Sequence, residues 1–98
     1  MFLLLLNYTA PIEHIDKILV EHGKFLDKYY SLKKFICSGR RIPRIGGVIL
    51  CNCINLEEVR LIINEDPFII NGVVDYEIIE FTPTKYMEGF EAFGCISR

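Results

Sequence analysis

The chain has no tryptophan, only two histidines and four cysteines in 98 residues, and no surplus of basic charge. Eleven Lys and Arg stand against thirteen Asp and Glu, for a net charge of −2. A nucleic-acid-binding face usually needs a basic excess, and an anionic membrane surface recruits polybasic segments, so neither partner is expected. Long apolar runs are also missing. The opening Met1–Leu6 stops at Asn7 and has no basic residue before it. An export signal needs an apolar stretch of roughly 7–15 residues and a membrane span about 20, so a short buried strand is the better reading. Without an export signal, Cys37, Cys51, Cys53 and Cys95 read as reduced thiols of a cytoplasmic protein. There is no glycine-rich phosphate loop, and Cys51-x-Cys53 has strand spacing rather than the usual zinc spacing, so no cofactor or metal is expected. The two thiols read as small core residues.

What is present is a balanced composition, 51% apolar and 24% charged, which excludes disorder and low complexity. Phe2–Tyr8 is apolar on both faces and reads as a buried strand. Pro11 suits a first helical turn, and Ile12, Ile15, Leu19, His22, Leu26 and Tyr29 then recur at helical spacing, widened by Ile18 and Phe25. Gly23 inside that helix predicts a close approach to its backbone. Lys33–Gly39 is a second strand, with Phe35 and Cys37 on one face and Ile36 on the other. Residues 40–47 form a loop and Val48–Cys53 a third strand. Asn55 with Glu58 resembles a capping box for a second helix carrying Val59, Ile62 and Ile63, which Pro67 ends. Phe68–Gly72 reads as a connection and Val73–Phe81 as the fourth strand.

The order β-α-β-β-α-β predicts an α+β, ferredoxin-like fold: an antiparallel sheet with two helices on one face. The domain spans residues 1–83, and a tail over 84–98 carries Tyr86, Met87, Phe90 and Phe93, suited to packing on the domain or on a partner. One helical layer covers one sheet face, yet strands one and four are apolar on both. A second copy of the chain is the economical cover, so a homodimer is expected.

His22 falls on the buried stripe, where a leucine would avoid the cost of burying ring nitrogens. It is either a core histidine bonded to a backbone carbonyl or a site residue. His14 lies off the stripe, roughly 80° away around an ideal helix, so the two do not make a metal pair. Glu65 and Asp66 follow the second helix, where carboxylates oppose the macrodipole. Asp66 either starts an Asp-Pro turn or marks a site. Together, His22 and Asp66 could form a base–orienter pair: a carboxylate on Nδ1–H leaves Nε2 free to accept a proton. Ser38 and Gly39 could bring a hydroxyl and a backbone N–H to the same place, or simply begin a turn. Arg40, Arg41 and Arg44 make a cationic loop, suited to an anionic substrate or to solvation alone. An RNA-binding domain shares this element order, but Val48–Cys53 has no aromatic on which to stack a base.

Leu3–Tyr8, His22 with Phe25-Leu26, Ser38-Gly39, Pro43–Leu50, Asp66-Pro67-Phe68 and Tyr76–Phe81 together resemble the YciI-like (YCII-related) family of small bacterial proteins, from strand one to Pro83. The resemblance implies a dimeric α+β barrel, two ferredoxin-like sheets closed face to face. It implies a His–Asp pair, here His22 and Asp66, with Ser38 nearby. Family members with assigned chemistry act on small ring compounds, one branch being a dehydrochlorinase of a chlorinated hydroxyhydroquinone. Related barrels include muconolactone isomerases. The chain departs in carrying Arg40 where proline often follows Ser-Gly, and in its longer tail.

The expected function is cofactor-independent isomerisation or elimination on a small oxygenated ring compound or organic acid. In that reading His22 and Asp66 are catalytic, and Ser38, Gly39, Arg40 and Arg44 hold a small anionic or aromatic ligand. The alternative is a non-catalytic, dimeric module that binds a small metabolite.

Overall fold

Two strands of this chain pair with the strand at its start, one on each side. The computed structural model describes residues 1–93. β1 (Phe2–Tyr8) lies between β3 (Gly46–Cys51) and β4 (Val74–Glu80), and β2 (Phe35–Arg40) pairs with β3 at the far edge. All pairings are antiparallel, with Phe2 opposite both Cys51 and Glu80. The alternation of β1 directs Phe2, Leu4 and Leu6 into the core, joined there by Ile49 and Cys51 of β3. Gly46 permits the β3–β1 contact: a Cβ there would stand 1.8 Å from the Leu6 carbonyl oxygen.

Helices cover this one face. α1 (Ile12–Ser31) buries Ile15, His22, Phe25 and Tyr29 against it. Leu19, on the same predicted stripe, is 39% exposed because it walls a cavity instead of filling the core. α1 ends with the Lys33 and Lys34 N–H groups donating to Tyr30 and Tyr29 carbonyls, and Lys33 takes the left-handed conformation, φ 59°. That turn moves the start of β2 from the predicted Lys33 to Phe35. α2 (Leu56–Ile63) has the predicted cap: Asn55 Oδ1 accepts from Glu58 N–H, while Glu58 Oε1 reaches back to the N–H of Ile54.

Three expectations need correction. Gly23 has open space where a Cβ would stand, so nothing approaches its backbone. Residues read as a plain connection hold a third helix, α3 (Pro67–Ile70). A bulge between Phe35 and Cys37 breaks the alternation of β2, so Phe35 is buried opposite Cys51 while Cys37 is exposed opposite Leu50. Cys51 and Cys53 are buried as expected, and donation to Cys51 Sγ together with burial keeps the Cys53 thiol protonated.

The opposite sheet face carries Leu3, Leu5, Val48, Leu50 and Ile79, with Phe81 beyond the last strand. No helix among the described residues lies long and apolar enough to cross a membrane. In the tail, Phe90–Phe93 forms a 3₁₀ turn, and Phe90 packs against Tyr86 and Phe93 at 5.9 and 5.7 Å. The remainder of the predicted tail, 94–98, lies outside the described residues.

Candidate functional site

Asp66 is reached from two directions, and its surroundings explain why it can be buried. α2 stops at Ile63, and Asp66 then becomes the N-cap of α3, with Pro67 in the first helical position. The expectation that it opposes a helix dipole is therefore reversed, because Asp66 begins a helix rather than ending one. Its Oδ1 accepts from the Phe68 N–H at 2.9 Å and from His22 Nδ1 at 2.7 Å. Its Oδ2 accepts from the Tyr76 hydroxyl at 2.5 Å. Three donors satisfy a carboxylate with 0% exposure, which would otherwise be prohibitively costly to bury.

Glu65, the neighbouring carboxylate, turns outward to Lys28 and to the Tyr29 hydroxyl. These donors hold its carboxyl below the usual glutamate range. The two adjacent acids thus have opposite fates, one on the surface and one inside.

His22 enters from α1 and is buried, at 8% exposure. A carboxylate already accepting two other donors can only accept, so Nδ1 carries the proton in this bond, and in the neutral imidazole Nε2 keeps its lone pair. Nε2 has no hydrogen-bond partner among the described residues and is not a sealed atom. The imidazole lies flat on the Phe68 ring, centroids 3.9 Å apart and planes 11° from parallel. The imidazole therefore comes from α1, and the carboxylate and aromatic wall from the start of α3.

The ring lines a cavity of about 200 Å³. Leu6, Leu19, Leu26, Ile49 and Phe68 give it apolar walls; Ser38, Gly39, Arg40 and Arg44 stand on its polar side. A cavity of roughly 150 Å³ accommodates benzene, so this one has room for a single substituted ring. Ser38 reaches it because of the bulge in β2. Uninterrupted alternation from Phe35 would turn Ser38 to the other face, but the shifted register sets it opposite Ile49, on the helix side. There its Oγ lies 2.5 Å from the Tyr30 hydroxyl.

Of the predicted residues, His22, Ser38, Gly39, Arg40 and Arg44 line the cavity, whereas Asp66 stands behind His22. Arg44 donates from a terminal nitrogen to Asp16 Oδ1 at 2.5 Å, and its Nε is buried without a partner among the described residues. Arg41, grouped with these arginines in the sequence, is instead committed to Asn7 Oδ1 at 2.6 Å. Sequence reasoning missed Phe68 and Tyr76 as parts of the site. The signal for Tyr76 was its place in strand four, in phase with the helix-covered face. Among the described residues, no group of three or more metal-ligating side chains comes together.

The family model described as the YCII-related domain matches residues 1–82. No curated protein matches the chain in sequence. Among solved structures, the chain is similar to a 5-chloro-2-hydroxyhydroquinone dehydrochlorinase from Burkholderia phenoliruptrix in complex with 2,5-dihydroxybenzoquinone. The TM-score is 0.70 and the identity 15%, covering 84% of this chain and 94% of that one. At that identity the likeness speaks for the fold, which is the ferredoxin-like α+β arrangement expected from the order of elements.

Proposed function

The chain belongs to the YCII-related domain family, and from that membership and the buried dyad we propose that it is a small-molecule enzyme working by proton transfer. The observation that carries the reading is the His22–Asp66 bond with Nε2 left free beside a cavity of about 200 Å³. In this reading His22 is the general base and acid. Asp66 fixes its tautomer and stabilises the imidazolium formed when Nε2 takes a proton.

The substrate is a small oxygenated ring compound or organic acid. Ser38 and the Gly39 backbone meet its oxygens, and Arg40 and Arg44 favour an anionic form. In an isomerisation the proton taken at Nε2 returns to a second atom of the same molecule. In an elimination it passes to solvent as the leaving anion departs. Neither route calls for a cofactor. The similar dehydrochlorinase, whose bound compound is a single ring, supports a ring substrate of this size.

The protein acts as a homodimer in this proposal. Leu3, Leu5, Val48, Leu50 and Ile79 form an apolar face that no helix among the described residues covers, and Ile79 and Phe81 are 41% and 40% exposed. A second copy would cover that face, and the tail aromatics beside Phe81 would extend the contact. A cytoplasmic site of action fits the free thiols of Cys37, Cys51 and Cys53.

The test is solvent-deuterium incorporation into hydroxylated quinones and small ring lactones, followed by NMR. His22→Ala and Asp66→Asn should each lower the rate by about 10²–10⁴-fold. Full turnover in both variants would sink the proposal. The apolar walls also suit a binding module without turnover. Tight ligand binding without any exchange, undiminished in His22→Ala, would favour that second reading.

A further inference from the structure

We propose that Tyr76 is a positioning residue for the His22–Asp66 pair, its hydroxyl locking the carboxylate so that Oδ1 stays on the imidazole. The inference deepens the proton-transfer reading above and rests on it for its functional meaning.

Tyr76 sits on β4 opposite Leu6 of β1, in phase with the helix-covered face. It donates to Asp66 Oδ2 at 2.5 Å, while Oδ1 is shared by His22 Nδ1 and the Phe68 N–H. The last torsion of an aspartate is broad and roughly two-fold, so a carboxylate held at one oxygen alone can rock or exchange its oxygens. Held at both, it cannot. Among the described residues, Tyr76 is the donor recorded on Oδ2, so its loss leaves a buried oxygen of a charged group without a partner.

The phenol is well suited to this task. Burial raises its pKa, and the adjacent Asp66 charge raises it further, so the hydroxyl remains a donor through the working range of a histidine base. Its bond also withdraws charge from the carboxylate. Asp66 then orients Nδ1–H without drawing that proton away, and the chain Tyr76–Asp66–His22 ends at the imidazole lining the cavity.

The experiment uses the full-length protein with ¹⁵N-labelled histidine. Two-bond ¹H–¹⁵N correlation spectra report the protonation of each ring nitrogen of His22. The wild type is expected to show one tautomer, protonated at Nδ1. In Tyr76→Phe the carboxylate still only accepts, so Nδ1 stays protonated, but its Nδ1–H proton is expected to move downfield as Asp66 regains the charge the phenol withdrew, with the backbone amide spectrum of the sheet retained. An unmoved Nδ1–H signal in a folded Tyr76→Phe protein overturns the assignment, since loss of packing alone would not strengthen this one bond selectively.

Should Tyr76→Phe fail to fold, 3-fluorotyrosine placed at position 76 decides the matter, because it preserves shape while making the phenol a stronger donor. The Nδ1–H proton of His22 is then expected to move upfield as its own bond to Asp66 weakens, and no movement overturns the proposal. These signals do not depend on turnover. Failure of the Tyr76 assignment is therefore separable from failure of the catalytic reading, which the His22→Ala rate tests.

Discussion

Phe68 lies flat against the imidazole of His22 while its own N–H donates to Asp66, the acid that holds that same imidazole. One residue therefore fixes both the plane of the imidazole and one oxygen of its partner. Phe68 is 2% exposed and also meets Tyr8 edge-on at 6.3 Å. Phe68→Ala should cost about 3–5 kcal/mol, the usual toll for emptying a large aromatic site. Phe68→Leu should cost less, yet still broaden the His22 ring signals. Urea denaturation measures the first effect, and a midpoint equal to wild type for Phe68→Ala would show that the ring bears no weight.

The contact at Gly46 makes a second expectation. Any side chain there drives its Cβ into the backbone of Leu6, an atom that cannot swing aside. Gly46→Ala should destabilise by roughly 1–3 kcal/mol or more, as overpacking does, and should loosen β1–β3 amides before others. Gly23→Ala is the control, because it adds a methyl to open space inside a helix. It should stabilise by about 1 kcal/mol. Thermal melts of the two variants should move in opposite directions, and equal shifts would refute the geometry.

Acid should weaken the fold through two surface carboxyls. Glu65 is held below the usual glutamate range by donation from Lys28 and from Tyr29. Partial burial of Glu58 favours its neutral form, but donation from Ile54 N–H and the Lys34 ammonium outweigh this and leave it lowered too. Both groups bind a proton less readily folded than unfolded. Their contribution is complete above the ordinary glutamate value of about 4.3 and is lost as pH falls through the lower folded values. Denaturation curves between neutral and acid pH should show this decline, shallower in the Glu58→Gln, Glu65→Gln double variant. An identical slope in that variant would remove these carboxyls from the account.

The sequence carried the fold because its signals were local: the stripe of α1, the Asn55 cap and the apolar runs of β1 and β4. It also carried the two polar residues that violate local economy, His22 in a leucine position and Asp66 before a proline. The reason given for Asp66 was wrong, however. The dipole argument assumed that it closes a helix, whereas it opens one, and the four-residue α3 is too short to have any periodicity to detect. Ser38 was named as a site residue on strand two, but what turns it inward is the bulge, which a period-two reading cannot anticipate. Tyr76 and Phe68 escaped notice because an aromatic in a strand or after a proline looks like ordinary core. Only the pairing of β4 with β1 brings Tyr76 to Asp66.

That pairing also dictates when the site can exist during folding. Phe2 meets Glu80 and Leu6 meets Tyr76, so the central ladder joins opposite ends of the domain and its closure carries a large loop entropy. Such topologies fold slowly compared with helical bundles, since distant segments must meet before their contacts repay the search. A growing chain on the ribosome can wind α1 and expose its histidine early, but the aspartate gains its second anchor only when the last strand docks. The Tyr76–Asp66–His22 cluster is thus assembled at the close of folding rather than at its start.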